Sequence, residues 1–70
     1  MEQQLLLIFH SRAEYERAIE FFDNQSDFFP YDKNDEFRSF TFEEGGNIDA
    51  LEQGISDELA ENGFEDYYFE

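Results

Sequence analysis

The chain contains no cysteine and no tryptophan, one histidine, one proline and only four basic residues. Without cysteine, disulfides and thiolate metal sites are excluded, so a chain of 70 residues must be held by packing or by self-association. No apolar run approaches the ~20 residues of a membrane span, and the first residues lack the basic region and cleavage site of a secretory signal. We therefore expect one acidic α+β domain over residues 1–70, soluble and cytoplasmic.

Positive charge is scarce, whereas negative charge is abundant. Nineteen acidic residues against four basic ones give a formal net charge of −15. The four cations lie between residues 12 and 38, and residues 39–70 carry ten carboxylates without a positive side chain. Fourteen aromatic residues distinguish the chain from a disordered acidic tail. Because like charges oppose compaction, their retention favours a function for the acidic surface.

The hydrophobic pattern predicts four strands. Residues 5–9 form the only run of five apolar residues, which predicts a central strand over residues 3–10 that is buried on both faces. Pro30 has no backbone N–H to donate to a neighbouring strand, which predicts that the second strand lies at an edge of the sheet. Asn34 and Asp35 predict a hairpin turn before the third strand. The later strands are predicted at residues 28–31, 36–43 and 64–69.

Two amphipathic helices are predicted. Ser11 caps the first helix, over residues 12–23, and forms a capping box with Glu14. Asn47 caps the second, which runs to about residue 61 and ends before Gly63 in a left-handed conformation. Gly54 inside the second helix costs up to about 1 kcal/mol relative to alanine, unless it lets that helix approach the sheet closely. The predicted buried stripes are Tyr15, Ala18, Ile19 and Phe22 in the first helix, and Ile48, Leu51, Ile55 and Leu59 in the second.

The element order predicts the ferredoxin-like split βαβ arrangement (βαββαβ). In it, two helices cover one face of a four-stranded antiparallel sheet whose first and third strands are central. Aromatic residues also occur in adjacent pairs, such as Tyr67-Tyr68, whose members point to opposite faces of a strand. A two-layer domain does not readily bury both members, so the second sheet face is expected to need a cover.

Catalytic and metal-binding patterns are weak. His10 is a lone histidine without an identifiable nucleophile, and a structural role is expected for it. Residues 32–43 match some positions of a calcium loop, but Phe37 occupies the position that requires glycine. Gly45-Gly46 lacks the nearby cation of a phosphate loop. We expect no enzyme activity, no cofactor, no metal site and, given the charge, no direct binding of nucleic acid or membrane.

The acidic surface and the surplus aromatic residues remain as functional signals. Carboxylates displayed like DNA phosphates can occupy the Lys/Arg groove of a nucleic-acid-binding protein, and aromatic anchors can add affinity. In size and charge the chain is similar to small acidic phage proteins that inhibit restriction or CRISPR enzymes. We therefore predict a non-enzymatic DNA mimic that binds a basic protein. The predicted partner-binding residues are Glu43, Glu44, Asp49, Glu52, Asp57, Glu58, Glu61, Glu65, Asp66 and Tyr67.

The alternative is a small structural or regulatory ferredoxin-like domain that forms a homodimer through its open sheet face. In that case the acidic residues serve mainly solubility. Salt separates the two hypotheses, because it weakens a groove-blocking complex but not an apolar sheet dimer.

Overall fold

The computed structural model describes residues 3–70 and is an α+β structure with two helices and a four-stranded antiparallel sheet. The strand order is β2-β3-β1-β4, and each neighbouring pair is antiparallel. The strands β1 and β3 are therefore central, as predicted, and β2 and β4 form the edges. The elements in chain order are β1 (Gln3–Phe9), α1 (Arg12–Asn24), β2 (Asp32–Asn34), β3 (Ser39–Glu44), α2 (Ile48–Glu61) and β4 (Tyr67–Phe69).

The core lies between the two helices and one face of the sheet. The sheet contributes Leu5, Leu7, Phe9, Phe40 and Phe42, all of them buried. They pack in one cluster with residues of both helices, so both helices cover the same face. The helical members of the cluster are Tyr15, Ala18, Phe21, Phe22, Ile55 and Leu59.

The opposite face of β1 is only half-buried. Leu6 and Ile8 alternate with the core residues of this strand and therefore point away from the helices. The prediction that β1 is buried on both faces is wrong, because the helices cover one side of the sheet and residues 3–70 supply no second layer over the other.

The predicted helix signals are largely confirmed. The Ser11 hydroxyl accepts a hydrogen bond from the Glu14 amide at 3.1 Å, and the Asn47 side chain accepts bonds from amides in the first turn of α2. Gly63 follows α2 with a φ of 83°, the expected left-handed conformation. The capping box is formed only in part, since the Glu14 carboxylate accepts from Arg17 rather than from the cap amide. Both helices begin where the sequence predicts.

The predicted bounds of the three later strands are wrong. Residues 28–31 are not a strand, and β2 begins only at Asp32. The third strand starts at Ser39 because residues 35–38 form the hairpin turn, with Arg38 at a φ of 54°. The last strand has three residues instead of six, because Phe64 is drawn into the core and packs on Phe9 and Phe21. Both edge strands are consequently short.

Gly54 accommodates an aromatic ring rather than a close approach to the sheet. A Cβ at this position would lie 3.0 Å from Cζ of Phe28, a half-buried residue in the segment between α1 and β2. The space beside Gly54 is therefore filled by Phe28 and not by the sheet. The missing side chain of Gly54 allows the Phe28 ring to pack against α2.

We expect Gly54→Ala to lower the free energy of unfolding although alanine is the better helix former. Alanine gains about 1 kcal/mol in helix propensity, whereas forcing the Phe28 ring aside costs about 1–3 kcal/mol. In a Phe28→Ala background, the same substitution should instead raise the free energy of unfolding by about 1 kcal/mol. Urea unfolding of the four proteins measures this coupling. Equal effects of Gly54→Ala in both backgrounds would show that Phe28 does not limit the space.

Candidate functional site

The predicted partner-binding residues fall into two end groups joined by α2. Glu43 and Glu44 end β3 and pair with the first residues of β1. Glu65 and Asp66 lie where β1 ends, since the Asp66 carbonyl accepts a hydrogen bond from the His10 amide at 3.0 Å. The two groups therefore lie at opposite ends of β1. At a rise of ~3.3 Å per residue along the strand, they are roughly 20 Å apart. They cannot contact one small epitope together.

The second helix spans the distance between these two groups. Its 14 residues rise by about 21 Å. At 3.6 residues per turn, Asp57 and Glu61 lie on the side opposite the buried residues Ile55 and Leu59, and Asp49 lies about 100° around the helix from those two residues. All three carboxylates are exposed. We refer to Asp49, Asp57 and Glu61 as the acidic helix face.

The two other acids of α2 flank this face on opposite sides. Glu58 is half-buried, and its carboxylate accepts a hydrogen bond from the Ser26 hydroxyl. Glu52 is exposed on the other flank, one turn before Ser56. Glu58 therefore holds the segment after α1 against α2, whereas Glu52 is accessible.

The predicted aromatic anchor, Tyr67, is engaged within the fold. Its ring is half-buried and lies 5.9 Å from the Phe9 ring, measured between centroids. The Tyr67 hydroxyl lies 3.2 Å from the Ser56 hydroxyl, within hydrogen-bond distance. Tyr67 thus joins β4 to α2 and presents little of its ring. The strongly exposed large apolar side chains are Phe29 (77%), Tyr31 (68%), Phe37 (62%) and Tyr68 (42%).

The three arginines make intramolecular contacts, and one of them, Arg17, reaches the end of α2 by donating to the Asn62 carbonyl at 3.3 Å. Arg12 donates to the Asp35 carbonyl at 2.8 Å, and Arg38 donates to the Phe9 carbonyl at 3.0 Å. Arg17 pairs with Glu14, and this is the one ion pair within residues 3–70. Among those residues, no cation therefore lies within ion-pair distance of the acidic helix face. Its three carboxylates are exposed and form no internal ion pair, although Asp57 accepts a hydrogen bond from the Gln53 side chain at 3.0 Å.

A second candidate surface lies on the sheet face away from the helices. Leu6 and Ile8 from β1 lie there with the exposed rings of Phe37 and Tyr68, and we refer to these four residues as the open-face patch. They line a shallow concavity of about 420 Å³. Arg38 and the acidic residues Asp32, Glu36 and Glu70 rim it. Lys33 pairs with the core residue Phe40, so its side chain lies on the helix side of the sheet.

Side-chain hydrogen bonds fix the turn that carries Phe37. The Asn34 side chain accepts from the Phe37 amide at 3.2 Å, and also from the amide before it. The Asp35 carboxylate accepts from the Tyr15 hydroxyl at 2.5 Å, which ties the turn to α1. Sequence analysis assigned Phe37 to a strand and missed it as an exposed anchor. Asn34, three residues before Phe37, favours a turn and was the signal that could have placed Phe37 in that turn.

Tyr15 is the titratable group with a clearly perturbed environment. Burial of the ring raises the pKa of the Tyr15 hydroxyl well above its usual range, and its hydrogen bond to Asp35 raises the pKa further. The neutral phenol is therefore the form that holds the turn against α1.

The described residues show neither a metal site nor a membrane span. No group of three or more His, Cys, Asp or Glu side chains within residues 3–70 is arranged to hold a metal ion. Residues 32–43, which resemble a calcium loop in part, form the β2–β3 hairpin. Over the same part of the chain, neither helix has the length and apolar character needed to cross a bilayer. His10 stacks on Tyr68 at a centroid distance of 4.8 Å.

We expect the Tyr15 hydroxyl to make stability depend on pH in the alkaline range. The unfolded chain loses this proton near the ordinary pKa of 10.0, whereas the folded chain keeps it to higher pH. The stabilisation of the fold by the protonated Tyr15 hydroxyl is therefore complete below pH 10. Above pH 10, the free energy of unfolding should fall by up to about 1.4 kcal/mol per pH unit. Tyr15→Phe should remove this slope and cost about 1 kcal/mol at neutral pH. Denaturant titrations across this range measure both effects.

Tyr31→Phe is the matched control, because it removes a hydroxyl from a ring that is 68% exposed. It should leave the alkaline slope of the wild-type protein unchanged. A wild-type slope that survives in Tyr15→Phe would show that another group is responsible.

Comparison of the chain with known proteins finds no matching family model, no matching curated protein and no matching solved structure. Function is therefore inferred from the surfaces of this chain alone.

Proposed function

We propose that the protein is a non-enzymatic interaction protein that binds a positively charged surface of a nucleic-acid-binding protein. The contact is made by the acidic helix face, extended by Glu52 and by the acidic groups at the two ends of α2. The observation that carries this proposal is the set of exposed α2 carboxylates that form no ion pair within residues 3–70. In a chain of net charge −15, these carboxylates attract basic surfaces from a distance.

The charge density of α2 supports mimicry of a nucleic acid. Four exposed carboxylates along about 21 Å of helix give roughly one charge per 5 Å, compared with one per ~3.4 Å along a single strand of DNA. A groove that binds phosphates through Lys and Arg would accept such a helix. The proposed role is inhibition or regulation of a cytoplasmic nucleic-acid enzyme, as restriction and CRISPR inhibitors do.

The placement of acids at the end of α2 also supports a binding role. Glu58 and Glu61 lie in the last turn, which contains no basic residue. The helix dipole is negative at this end, so each carboxylate there costs about 0.3–1 kcal/mol. Glu58 offsets this cost through its hydrogen bond with Ser26, so a use in binding is needed to explain only Glu61.

The proposed scaffold is a single ferredoxin-like split βαβ domain over residues 1–70. Read from the opposite edge, the strand order is β4-β1-β3-β2, with β3 between β2 and β1. Antiparallel pairing throughout and the placement of both helices on one face support this assignment.

Reversal of two charges on the acidic helix face should abolish binding of the basic protein. We expect Asp57→Lys with Glu61→Lys to lose the bound protein, because both carboxylates lie on the exposed side of α2. The matched control is Glu16→Lys with Glu20→Lys on α1, which has the same spacing and also changes the net charge from −15 to −11.

Affinity capture from the native host lysate compares the wild-type protein with the α1 and α2 variants. It is carried out at low and high salt and with competitor DNA. Wild-type protein and the α1 variant should retain a basic nucleic-acid-binding protein that salt and DNA displace, whereas the α2 variant should not. Equal capture by both variants, or capture that DNA does not displace, would contradict the proposed mimicry.

The same α2 variant should be more stable than the wild-type protein. Positive side chains at positions 57 and 61 interact favourably with the C-terminal end of the helix dipole and relieve repulsion among carboxylates. We expect the free energy of unfolding to rise by about 0.5–2 kcal/mol for the two substitutions together. Thermal unfolding at low salt measures the gain. A loss of stability would indicate that the carboxylates are needed for the fold.

A further inference from the structure

We propose that the open-face patch binds a cationic amphipathic helix supplied by another protein. The patch lies on the side of the sheet opposite the helices of this chain, so it is separate from the acidic helix face. Leu6 and Ile8 are half-buried at its centre, and Phe37 and Tyr68 are 62% and 42% exposed around them. The patch is therefore a second binding surface, independent of the one in the proposed function.

The strand register places apolar side chains at the centre of this face. Ile8 lies opposite Ser39 on one side and opposite Tyr68 on the other. Residues directly opposite each other in an antiparallel sheet point to the same face, so all three lie away from the helices. Leu6 continues this surface along β1, and Phe37 borders it from the β2–β3 turn.

The next row of the sheet carries a carboxylate at each edge. Thr41 lies opposite Leu6, and Asp32 lies opposite Thr41. On the other side of β1, the Glu70 amide donates to the Leu6 carbonyl at 2.9 Å. Asp32 and Glu70 therefore flank Leu6 from the two edges, and both line the open-face concavity. Three strand spacings of ~4.8 Å put the two residues roughly 14 Å apart.

Charge at the rim selects a cationic occupant. Neither Asp32 nor Glu70 takes part in an ion pair within residues 3–70. Arg38 also lies at the rim, but its Nε donates to the Phe9 carbonyl at 3.0 Å, and the carboxylate of Glu36 lines the same concavity. The rim is thus negative overall, and it attracts a partner that carries Lys or Arg beside its apolar surface.

The separation of the two edge carboxylates fits a helix that lies along β1. An α-helix with its side chains is about 10–12 Å across. With its apolar stripe on Leu6 and Ile8, such a helix has Asp32 on one flank and Glu70 on the other. Lys or Arg on each side of the stripe would reach these carboxylates, and their carbon chains would cover apolar surface.

An added strand suits this sheet less well than a helix. The edge strands β2 and β4 have three residues each, so a strand at either edge would gain few main-chain hydrogen bonds. A helix satisfies its main-chain groups internally and can cover a sheet face without using an edge.

The two aromatic rings of the patch are held in place before binding. Phe37 stands on a turn whose amides donate to the Asn34 side chain. The Tyr68 ring stacks on His10 at a centroid distance of 4.8 Å. Because fixed anchors lose little entropy on association, the patch is prepared for contact.

A defined peptide tests this binding surface. The probe is a leucine–lysine peptide of about 18 residues that forms an amphipathic helix, with one tryptophan in its apolar stripe. The protein contains no tryptophan, so a blue shift of the emission reports burial of the peptide. A scrambled peptide of the same composition should bind about tenfold more weakly, because it has no apolar stripe. Equal binding of the two peptides would overturn the proposal, since charge alone would then explain the contact.

Two pairs of neutralised carboxylates separate the open face from the acidic helix face. Asp32→Asn with Glu70→Gln should weaken peptide binding about fivefold, the loss expected for two exposed ion pairs. Asp57→Asn with Glu61→Gln is the matched control, because it also changes the net charge from −15 to −13. It should change peptide binding by less than about twofold. Equal losses in the two variants would contradict the assignment to the open face.

Phe37→Ala should weaken peptide binding about tenfold, as removal of an aromatic anchor does. Phe29→Ala is the control, since Phe29 is 77% exposed but does not line the open-face concavity. Both variants should retain the helical circular dichroism of the wild-type protein and its capture of a basic protein. Equal affinity of Phe37→Ala and wild type for the peptide would refute the assigned surface while leaving the function of the acidic helix face intact.

Two further measurements test other occupants of the patch. A peptide with glutamate in place of lysine should not bind, because the rim repels it, and binding would show that charge does not select the occupant. Sedimentation equilibrium of the protein alone should show a monomer, since copies of net charge −15 repel each other. A dimer that Phe37→Ala dissociates would show instead that a second copy covers the patch, and would overturn the proposal.

Discussion

Aromatic packing around Phe9 is the interaction on which the rest of the structure depends. The Phe9 ring lies at the centre of the core-facing side of the sheet, with centroids 5.9 Å from Phe40 and 6.0 Å from Phe64. Phe40 in turn contacts Phe22 of α1, and Phe64 follows α2, so one network joins both helices to the two central strands. Rings of this size bury 150–250 Å² each, which lets a small chain without disulfides tolerate strong repulsion among its carboxylates.

The one-sided core also determines which surfaces are free. Because both helices share one side of the sheet, the outer side of α2 and the far side of the sheet both face solvent. The first surface is almost purely anionic and the second is apolar with mixed charges at its rim. The chemistry of the two surfaces suits different kinds of partner, which is why acidity and surplus aromatic residues need not share one explanation.

Local signals in the sequence predicted the two helices and the bounds of the first strand well. Ser11, Asn47 and Gly63 act through neighbouring backbone groups, so their roles can be recognised without knowledge of the fold. The strand predicted at residues 28–31 was wrong because a long-range contact decides it. Phe28 enters the space left by Gly54, and no local pattern in either segment reveals the other.

The candidate site was predictable only as a set of acidic residues. The sequence identified the carboxylates of α2, but the rotation of the helix decides that Glu58 bonds to Ser26. Likewise, the pairing of β4 with β1 decides that Tyr67 reaches Ser56. Phe37 was misassigned because alternation suggested a strand, whereas the hydrogen bonds of Asn34 and Asp35 convert this stretch into a turn.

The sheet separates the helices from the open-face patch, and this separation has a consequence for valency. A partner bound to the acidic helix face leaves the open-face patch uncovered, because the sheet lies between the two surfaces. One chain therefore has room for two partners at once, one on each side of the sheet. If those partners are linked to each other, the second contact forms as an intramolecular event, and effective concentration raises the overall avidity by about 10²–10⁴ with the sheet as the spacer.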